Sequence, residues 1–518
     1  MLACCHILKL PDELLLRIVQ CIPPTPSTKI AEQCSLSDYR SVSLVCRQLN
    51  RAATSVMYAY YELTHASSAP FITTLFHQPR LARLVHGVKG FAVTRQKLGH
   101  FERSTADTES LIPVIHHLDF PEKDRMLLLF RGGRASCQSV EAALILAMTS
   151  NVQTLALKPM FQDNLTPVAS ISWQMILAAA QGLSFGLAHR FEHLRVLELH
   201  MPHVSPTSLS IVLLLKSLVD LTLIDYHDED EDYEQAGATW ECPLKSSSIR
   251  TIRLHRFEIN IQLIVKLISS CRSLQGFALR IPDALNLHWD IPKYSLLIQE
   301  LHRHQPELLY LDLTDERYVM ERKDSEALGW LDRLKDFKSL KYLAIPLELV
   351  GLGNSDTMTY MGGTLPRDLQ TLILTKGHLS NSQDEQFGRD FCDVHIQSIL
   401  QACQTASLKL KRLGVHYHTD FKYAGAYYGY ADNNKDLARM EDVHFDFSRF
   451  TREFKECKVW FDYEIQVHHQ QEHEAHERLI SVRRIHGDAV ADEYSEHLSS
   501  AYRYKPWYNL KGFPKLPF

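Results

Sequence analysis

Residues 194–199 read LRVLEL, and residues 218–223 read LVDLTL. Both follow the pattern apolar-x-x-apolar-x-apolar, whose last three positions alternate as in a β-strand with one buried side. The pattern occurs nine times between residues 152 and 415, with start-to-start spacings of 24 to 42 residues. The nine copies begin at Val152, Leu194, Leu218, Ile249, Leu274, Leu308, Leu340, Leu369 and Leu410.

Many copies follow a helical stretch and a short polar break. Residues 263–268, LIVKLI, precede a break at 269–273, and residues 296–301, LLIQEL, precede a break at 302–307. Each unit leaves an apolar strand edge and an apolar helix face that only neighbouring units can cover. The sequence therefore predicts an α/β fold with a parallel sheet on one face and helices on the other.

This unit resembles a degenerate leucine-rich repeat. The asparagine expected three residues past the last apolar position is absent, and other residues stand there: Met160, Pro202, Tyr226, Phe257 and Pro282. The resemblance implies an irregular leucine-rich-repeat-like solenoid over residues 151–420. Residues 56–150 would connect it to the N-terminal region, in part as a divergent first repeat. Residues 421–518 would form a C-terminal cap and an aromatic and charged tail.

The first fifty residues carry more apolar surface than a small unit can bury. Pro11 suits the first turn of a helix, and Asp12 and Glu13 complement the positive end of that helix. Leu14 and Ile18 form one apolar stripe of the helix, and a second stripe lies beside it. A unit of about 45 residues has too little interior for all these groups. Surplus apolar surface of this kind predicts a docking partner.

The stretches LPDELLLRIV (residues 10–19) and SLSDYRSVSLVCRQLNRAA (residues 35–53) closely resemble the F-box. This helical motif docks onto the Skp-type adaptor of cullin–RING ubiquitin ligases, so the resemblance implies that residues 1–55 bind such an adaptor. An ordinary N-terminal helical cap is the alternative. The adaptor-binding residues would be Leu10, Pro11, Leu14, Ile18, Leu36, Val42, Val45, Cys46 and Leu49.

The strand pattern also predicts which side chains face away from the core. Side chains alternate along a strand, so residues between and after the apolar positions lie on an open, concave face. These positions include Asp220 and Thr222. The candidate target-binding residues on this face are Glu198, His200, Arg253, His255, Arg280, Tyr310, Asp312, Tyr342, Arg412 and His416. The alternative is that they are simply solvated.

Composition excludes several classes of protein. The net charge of −5 gives no global basic field for nucleic acid, and hydrophobic residues at 45% are typical of a globular chain. The 11 cysteines have no metal-binding spacing, and no apolar run approaches the ~18 residues of a membrane span. The sequence therefore predicts a reduced protein of the cytoplasm, the nucleus or both, with no membrane anchor, metal or cofactor.

Two catalytic motifs occur in unsuitable contexts. Residues 469–473 spell HxxEH, as in zinc peptidases, but the surrounding helix is polar on all sides. Residues 182–186 spell GxSxG, but a predicted helix precedes them where a hydrolase needs a strand. The acidic run at residues 228–232 is a solvated loop or a contact for a basic partner. We therefore expect a non-catalytic protein.

Together these features predict the substrate-recognition subunit of an SCF-type cullin–RING ubiquitin ligase. The F-box would bind the Skp-type adaptor, and the repeat region would hold a protein target near the ubiquitin-charged enzyme. One alternative is an adaptor-bound F-box scaffold without ubiquitylation targets. A second is an enzyme in the irregular body. The sequence does not identify the target.

Overall fold

The structure is a computed structural model that describes most of the chain between residues 10 and 468. The described residues are 10–21, 38–63, 68–90, 105–119, 123–124, 127, 134–157, 171–187, 189–200, 204–224, 240–255, 261–281, 294–315, 334–346, 361–376, 396–405, 407–420 and 448–468.

Twelve strands form one parallel sheet, in which each strand pairs with the next one along the chain. The α/β class and the parallel sheet predicted from the repeated pattern are confirmed. The strands are β1 (Tyr60–Leu63), β2 (Gly87–Gly90), β3 (Thr154–Leu157), β4 (Val196–His200), β5 (Asp220–Ile224), β6 (Thr251–His255), β7 (Gly276–Ile281), β8 (Tyr310–Asp315), β9 (Tyr342–Pro346), β10 (Thr371–Lys376), β11 (Arg412–Asp420) and β12 (Trp460–His468).

Helices alternate with many of the strands. They are α1 (Asp12–Gln20), α2 (Arg47–Ala59), α3 (Ala69–His77), α4 (Pro79–Ala82), α5 (Thr105–His117), α6 (Arg134–Met148), α7 (Ile171–Ala180), α8 (Pro206–Val212), α9 (Ile261–Ser270), α10 (Tyr294–His302), α11 (Met361–Thr364) and α12 (Ser448–Glu456). Residues 38–43 and 396–404 are also helical. Within the described part of the chain, none of these helices has the length and apolar character needed to cross a bilayer.

One continuous core joins one face of the sheet to the helices. All three apolar positions of each of the nine sequence copies belong to it. In β4, for example, Leu197 and Leu199 are buried while Val196, Glu198 and His200 between and beside them are half-buried. The helices fill the same core with residues such as those of α9 and α10. Two apolar rows therefore run across the sheet and hold the helices on one side.

The register of the sheet is set where each strand begins. The carbonyl oxygen of Gln153 accepts the N–H groups of Arg195 and Val196, at 2.8 and 2.9 Å. The carbonyl oxygen of Arg195 in turn accepts those of Val219 and Asp220, at 2.8 and 2.9 Å. The residue before every strand from β2 to β10 repeats this double contact. The first residues of successive strands are therefore aligned with one another, even though the connections between the strands differ in length.

Serine side chains connect successive repeats three residues before several strands begin. The Oγ of Ser217 donates to the carbonyl of Phe191 at 2.9 Å, and that of Ser248 donates to the carbonyl of Lys216 at 2.8 Å. The Oγ of Ser339 donates to the carbonyl of Pro306 at 2.6 Å. These hydroxyl groups give carbonyls of the preceding repeat a hydrogen-bond donor from the protein itself.

The sheet is longer than the predicted repeat region at both ends. Strands β1 and β2 lie before residue 151, and β12 lies after residue 420. The N-terminal helices have a small core of their own around Leu15, Val19, Ala52 and Ala53, separate from the main core. Helix α2 continues into β1 with no intervening residue, so this helical unit is fixed directly to the first strand.

Two glycines shape the turn after α7. The N–H of Gly182, whose φ is 83°, donates to Ala179 O at 3.0 Å, and the N–H of Leu183 donates to Ala178 O at 2.9 Å. This pair of contacts is the Schellman motif that ends many helices. Gly186, whose φ is 60°, then pairs its backbone with Asp119.

Replacement of Gly186 by alanine should destabilise the fold more than the same change at Gly182. Both residues have positive φ, which costs alanine about 1 kcal/mol. A Cβ at Gly186 would also overlap the backbone of Ala147, whereas a Cβ at Gly182 would meet no atom within 4 Å. We expect an additional loss of about 2 kcal/mol for Gly186→Ala in urea unfolding. Equal midpoints for the two variants would contradict this packing.

Candidate functional site

The structure places the predicted target-binding residues on the face of the sheet opposite the core. They occupy three rows, because strand pairing aligns equivalent positions. The rows hold Asp220, Tyr310, Tyr342 and Arg412; Glu198, Thr222, Arg253 and Asp312; and His200, His255, Arg280 and His416. The side chain of His416 lies outside the described part of the structure. We call this surface the polar face.

A buried carboxylate organises the centre of the polar face. The Oδ2 of Asp312 accepts the Nε and Nη2 groups of Arg280, at 3.1 and 2.8 Å. The same oxygen accepts the hydroxyl of Tyr310 at 3.0 Å, and Oδ1 accepts the hydroxyl of Thr314 at 2.6 Å. Four donated hydrogen bonds therefore compensate a carboxylate that has lost its water.

The charges of this cluster reinforce one another. Burial alone would lower the pKa of Arg280, but the charge of Asp312, its hydrogen bond to Arg280 and the neighbouring Tyr310 and Tyr342 together raise that pKa above its usual value. Burial, together with Asp312, also raises the pKa of Tyr310. Arg280 is therefore a permanent cation and Tyr310 a permanent hydrogen-bond donor near neutral pH.

Two stacked tyrosines form one wall of the cluster. The rings of Tyr310 and Tyr342 lie 4.4 Å apart with an interplanar angle of 13°. They belong to neighbouring strands and are directly paired in register. Burial raises the pKa of Tyr342 as well. Cross-strand aromatic pairs of this kind stabilise a sheet and fix the positions of their side chains.

The centre of the polar face differs from the open, solvated surface expected from the strand pattern. Asp312 is 0% exposed and Tyr310 only 3% exposed, whereas the side chain of Arg280 keeps 35% of its surface. Asp312 and Tyr310 therefore lie below the surface, where Asp312 accepts hydrogen bonds from both Tyr310 and the partly exposed Arg280. The sequence could not show this, because Arg280 and Asp312 are 32 residues apart and meet only through the pairing of β7 and β8.

A second group of charges lies on β4 and β6. The Nε2 of His200 is 2.8 Å from Oε1 of Glu198, and this hydrogen bond holds the pKa of Glu198 below its usual value. Burial, helped by the positive charge of Arg280, lowers the pKa of His255 to about 4. His255 is therefore neutral near pH 7. Arg253 lies directly across from Thr222 in the neighbouring strand.

The predicted adaptor-binding residues divide into exposed and internal ones. Leu14, Ile18 and Val45 are 46%, 41% and 67% exposed, and Pro11 is exposed just before α1. Leu36 lies outside the described residues. Three others pack against the small N-terminal core and are partly buried: Leu10, Val42 and Leu49. Cys46, half-buried, caps α2 by accepting the N–H of Leu49 at 3.5 Å.

One exposed residue was missing from the predicted set. Leu44 is 80% exposed, more than Leu14, Ile18 or Val45. It directly precedes Val45 in the turn before α2, and the apolar pair LV at residues 44–45 was the available sequence signal. Asp12 helps to hold this turn region near α1, since its Oδ1 accepts Gln48 at 3.3 Å and its Oδ2 lies 3.5 Å from Arg51.

The other motifs do not assemble into a catalytic site in the described part of the chain. Ser184 is exposed in the turn after α7, with no strand before it, as the helical context predicted. Residues 469–473 and 228–232 lie outside the described residues. Across the described ranges, no group of three His, Cys, Asp or Glu residues could hold a metal ion, and the described cysteines are free.

A scan against family models finds no match to this chain, and a search of curated proteins likewise finds none. The functional assignment therefore depends on the residues themselves.

Replacement of Asp312 by alanine should destabilise the protein by about 3–5 kcal/mol, because Arg280 would keep a partly buried charge without its partner. The double variant Asp312→Leu, Arg280→Met removes both charges and should recover much of that loss. Asp368→Ala, which breaks an exposed pair with Lys409, should change stability little. The free energy of unfolding of all three variants can be measured by chemical denaturation. An Asp312→Ala variant as stable as the wild type would contradict the buried network.

The lowered pKa of His255 predicts a dependence of stability on pH. Between the ordinary histidine value near 6.5 and about 4, the unfolded chain binds a proton at this residue that the folded protein does not. Stability should therefore fall as pH falls through this window, by at most about 1.4 kcal/mol per pH unit from this residue. His255→Gln should show a shallower slope than the wild type. Equal slopes for the variant and the wild type would contradict the assignment.

Proposed function

We propose that the protein is the substrate-recognition subunit of an SCF-type cullin–RING ubiquitin ligase. In this proposal the N-terminal helical unit is an F-box that binds the Skp-type adaptor. The strands and helices after it form an irregular leucine-rich-repeat-like solenoid that binds a protein target. The protein performs no bond chemistry itself and accelerates ubiquitin transfer by holding the target near the charged enzyme.

The observation that carries the proposal is the apolar surface of the N-terminal unit. Leu14 and Ile18 lie one helical turn apart on α1, and each exposes more than 40% of its surface. Leu44 and Val45 are still more exposed in the turn before α2. A core of only a few residues lies beneath them. Large apolar side chains kept at the surface of so small a unit are typical of a protein-binding site.

The attachment of this unit to the sheet also supports the proposal. Helix α2 passes straight into β1, and the rings of Tyr58 and Tyr61 on either side of the junction both stack on Phe71, at 5.8 and 4.0 Å. Phe71 belongs to α3, which is part of the main core region. A partner bound to the N-terminal unit would therefore keep a fixed position relative to the sheet.

The long polar face suits the second half of the proposed task. Arg280 is held by a buried carboxylate, and its guanidinium stays partly exposed beside other charged side chains. Side chains that are fixed before binding lose little conformational freedom when a partner docks. A protein target is the natural partner for a surface of this extent.

The double variant Leu14→Ala, Ile18→Ala should lose adaptor binding. Truncation of central apolar anchors commonly costs about 2 kcal/mol or more in binding free energy, which is about 30-fold in affinity. The control is Leu183→Ala, Leu244→Ala, which removes two leucines elsewhere that are even more exposed. Co-purification of adaptor with the full-length protein measures binding. Wild-type adaptor yield from the first variant would refute the F-box assignment.

Affinity purification with mass spectrometry can distinguish a ubiquitin-ligase subunit from an adaptor-bound scaffold without ubiquitylation targets. We expect adaptor and cullin in purifications with and without a proteasome inhibitor, and target proteins enriched when the inhibitor is present. Adaptor without inhibitor-dependent targets would favour the adaptor-bound scaffold. Absence of both adaptor and cullin would refute the proposal.

A further inference from the structure

The edge of the sheet where the strands begin carries a row of positive charge. The row consists of the residues immediately before β3 to β11, which successive backbone hydrogen bonds hold side by side. Its members are Gln153, Arg195, Val219, Arg250, Gln275, Leu309, Lys341, Gln370 and Lys411. Four are cationic and none is acidic, although the whole chain has a net charge of −5. We call this set the basic row.

The cations of the basic row are accessible. Arg195, Arg250 and Lys411 are exposed, and the guanidinium groups of the two arginines have no ion pair or hydrogen bond with any described residue. The Nζ of Lys411 donates to Oε1 of Gln370 at 3.1 Å, which orients the amine along the row. Lys341 is half-buried and lies 3.5 Å from the carbonyl of Asp368.

Further exposed cations flank the row in the turns before the strands: Lys216, Lys245, Arg272, Lys338 and Arg367. The carboxylates near this edge are fewer than these cations: Glu192, Asp220, Glu241, Glu307, Asp336 and Asp368. Of these, Asp368 already pairs with Lys409 at 2.8 Å. The edge as a whole therefore remains positive.

The spacing of the cations fits an extended polypeptide. Neighbouring strands lie about 4.8 Å apart, so Arg195 and Arg250, two strands apart, are separated by about 10 Å. Lys341 and Lys411 are also two strands apart. An extended chain rises about 3.3 Å per residue, so acidic residues at every third position recur at the same distance. The glutamines between the cations can donate to the backbone carbonyls of such a chain.

The chemistry of the row favours a peptide over nucleic acid. Surfaces for single-stranded nucleic acid interleave cations with aromatic rings on which bases stack, and the basic row contains no aromatic residue. The remainder of the chain is net negative, which would repel a long phosphate backbone extending past the row. A short acidic segment avoids that repulsion, because it needs to contact only the row.

We propose that the basic row binds an extended acidic segment of the target protein, with acidic side chains at intervals of about three residues. The assignment of the segment to the target rests on the proposed function. The row itself lies on the sheet, whereas Leu14 and Ile18 lie on α1 in the separate N-terminal unit. Target capture would therefore have a charge-selective component at the edge of the sheet, beside the polar face.

The test is peptide binding by the full-length protein, followed by fluorescence anisotropy. The probe is a labelled thirteen-residue peptide with glutamate at every third position and serine elsewhere. We expect binding that weakens with added salt, since exposed charges are screened. The double variant Arg195→Glu, Arg250→Glu should weaken it by about tenfold or more at low salt, from two lost ion pairs and two new repulsions.

The control is Arg80→Glu, Lys266→Glu, which makes the same charge change at exposed positions outside the row. If this control weakens peptide binding equally, the effect comes from the net charge of the protein and the proposal is overturned. A wild-type protein that does not bind the peptide would also overturn it. Tighter binding of an oligothymidine of equal charge would overturn it in favour of nucleic acid.

The variants also separate this proposal from the proposed function. Arg195→Glu, Arg250→Glu should still co-purify adaptor at wild-type yield, and Leu14→Ala, Ile18→Ala should still bind the peptide. Adaptor binding without peptide binding overturns the basic row alone. Peptide binding without adaptor binding in the wild type refutes the F-box while the acidic-segment site remains.

Discussion

The backbone contact at the start of each strand is the constraint on which the rest of the structure depends. One carbonyl accepts two N–H groups from the next repeat, and this repeats from β2 to β10. Because the contact involves only backbone atoms, it accepts arginine, valine or leucine equally well at the same position. It fixes the register, aligns the apolar rows on one face and brings distant polar residues into rows on the other.

Polar groups have different structural roles on the polar face and at the edge of the sheet where the strands begin. On the polar face, a buried carboxylate on β8 collects donors from its own and the preceding strand and holds one arginine in place. At the starting edge, serine hydroxyls satisfy the carbonyls of the preceding repeat. These serines supply the turns with hydrogen-bond donors in addition to the backbone N–H groups.

Sequence patterns predicted the core well and the ends of the sheet poorly. All apolar positions of the nine copies are buried, because burial on one face imposes the same alternation on every interior strand. Strands β1 and β12 were not predicted, because strands at the ends of a sheet have fewer neighbours to bury their side chains: Tyr60 and Trp460 are over 70% exposed. The burial of Asp312 was also unpredictable, because its donors come together only through register. The basic row was hidden for the same reason, as its members are 24 to 42 residues apart in sequence.

The alignment of the strand starts has a consequence for how the length of such a sheet can evolve. Residues before successive strands, such as Arg250 and Gln275, occupy equivalent backbone positions. Unequal crossing-over between two such points removes or duplicates one whole unit and rejoins the chain where the geometry already matches. The sheet then shortens or lengthens by one strand without an unmatched hydrogen bond. Gene lineages built this way can alter the length of a surface in a single event, before point mutations adjust its chemistry.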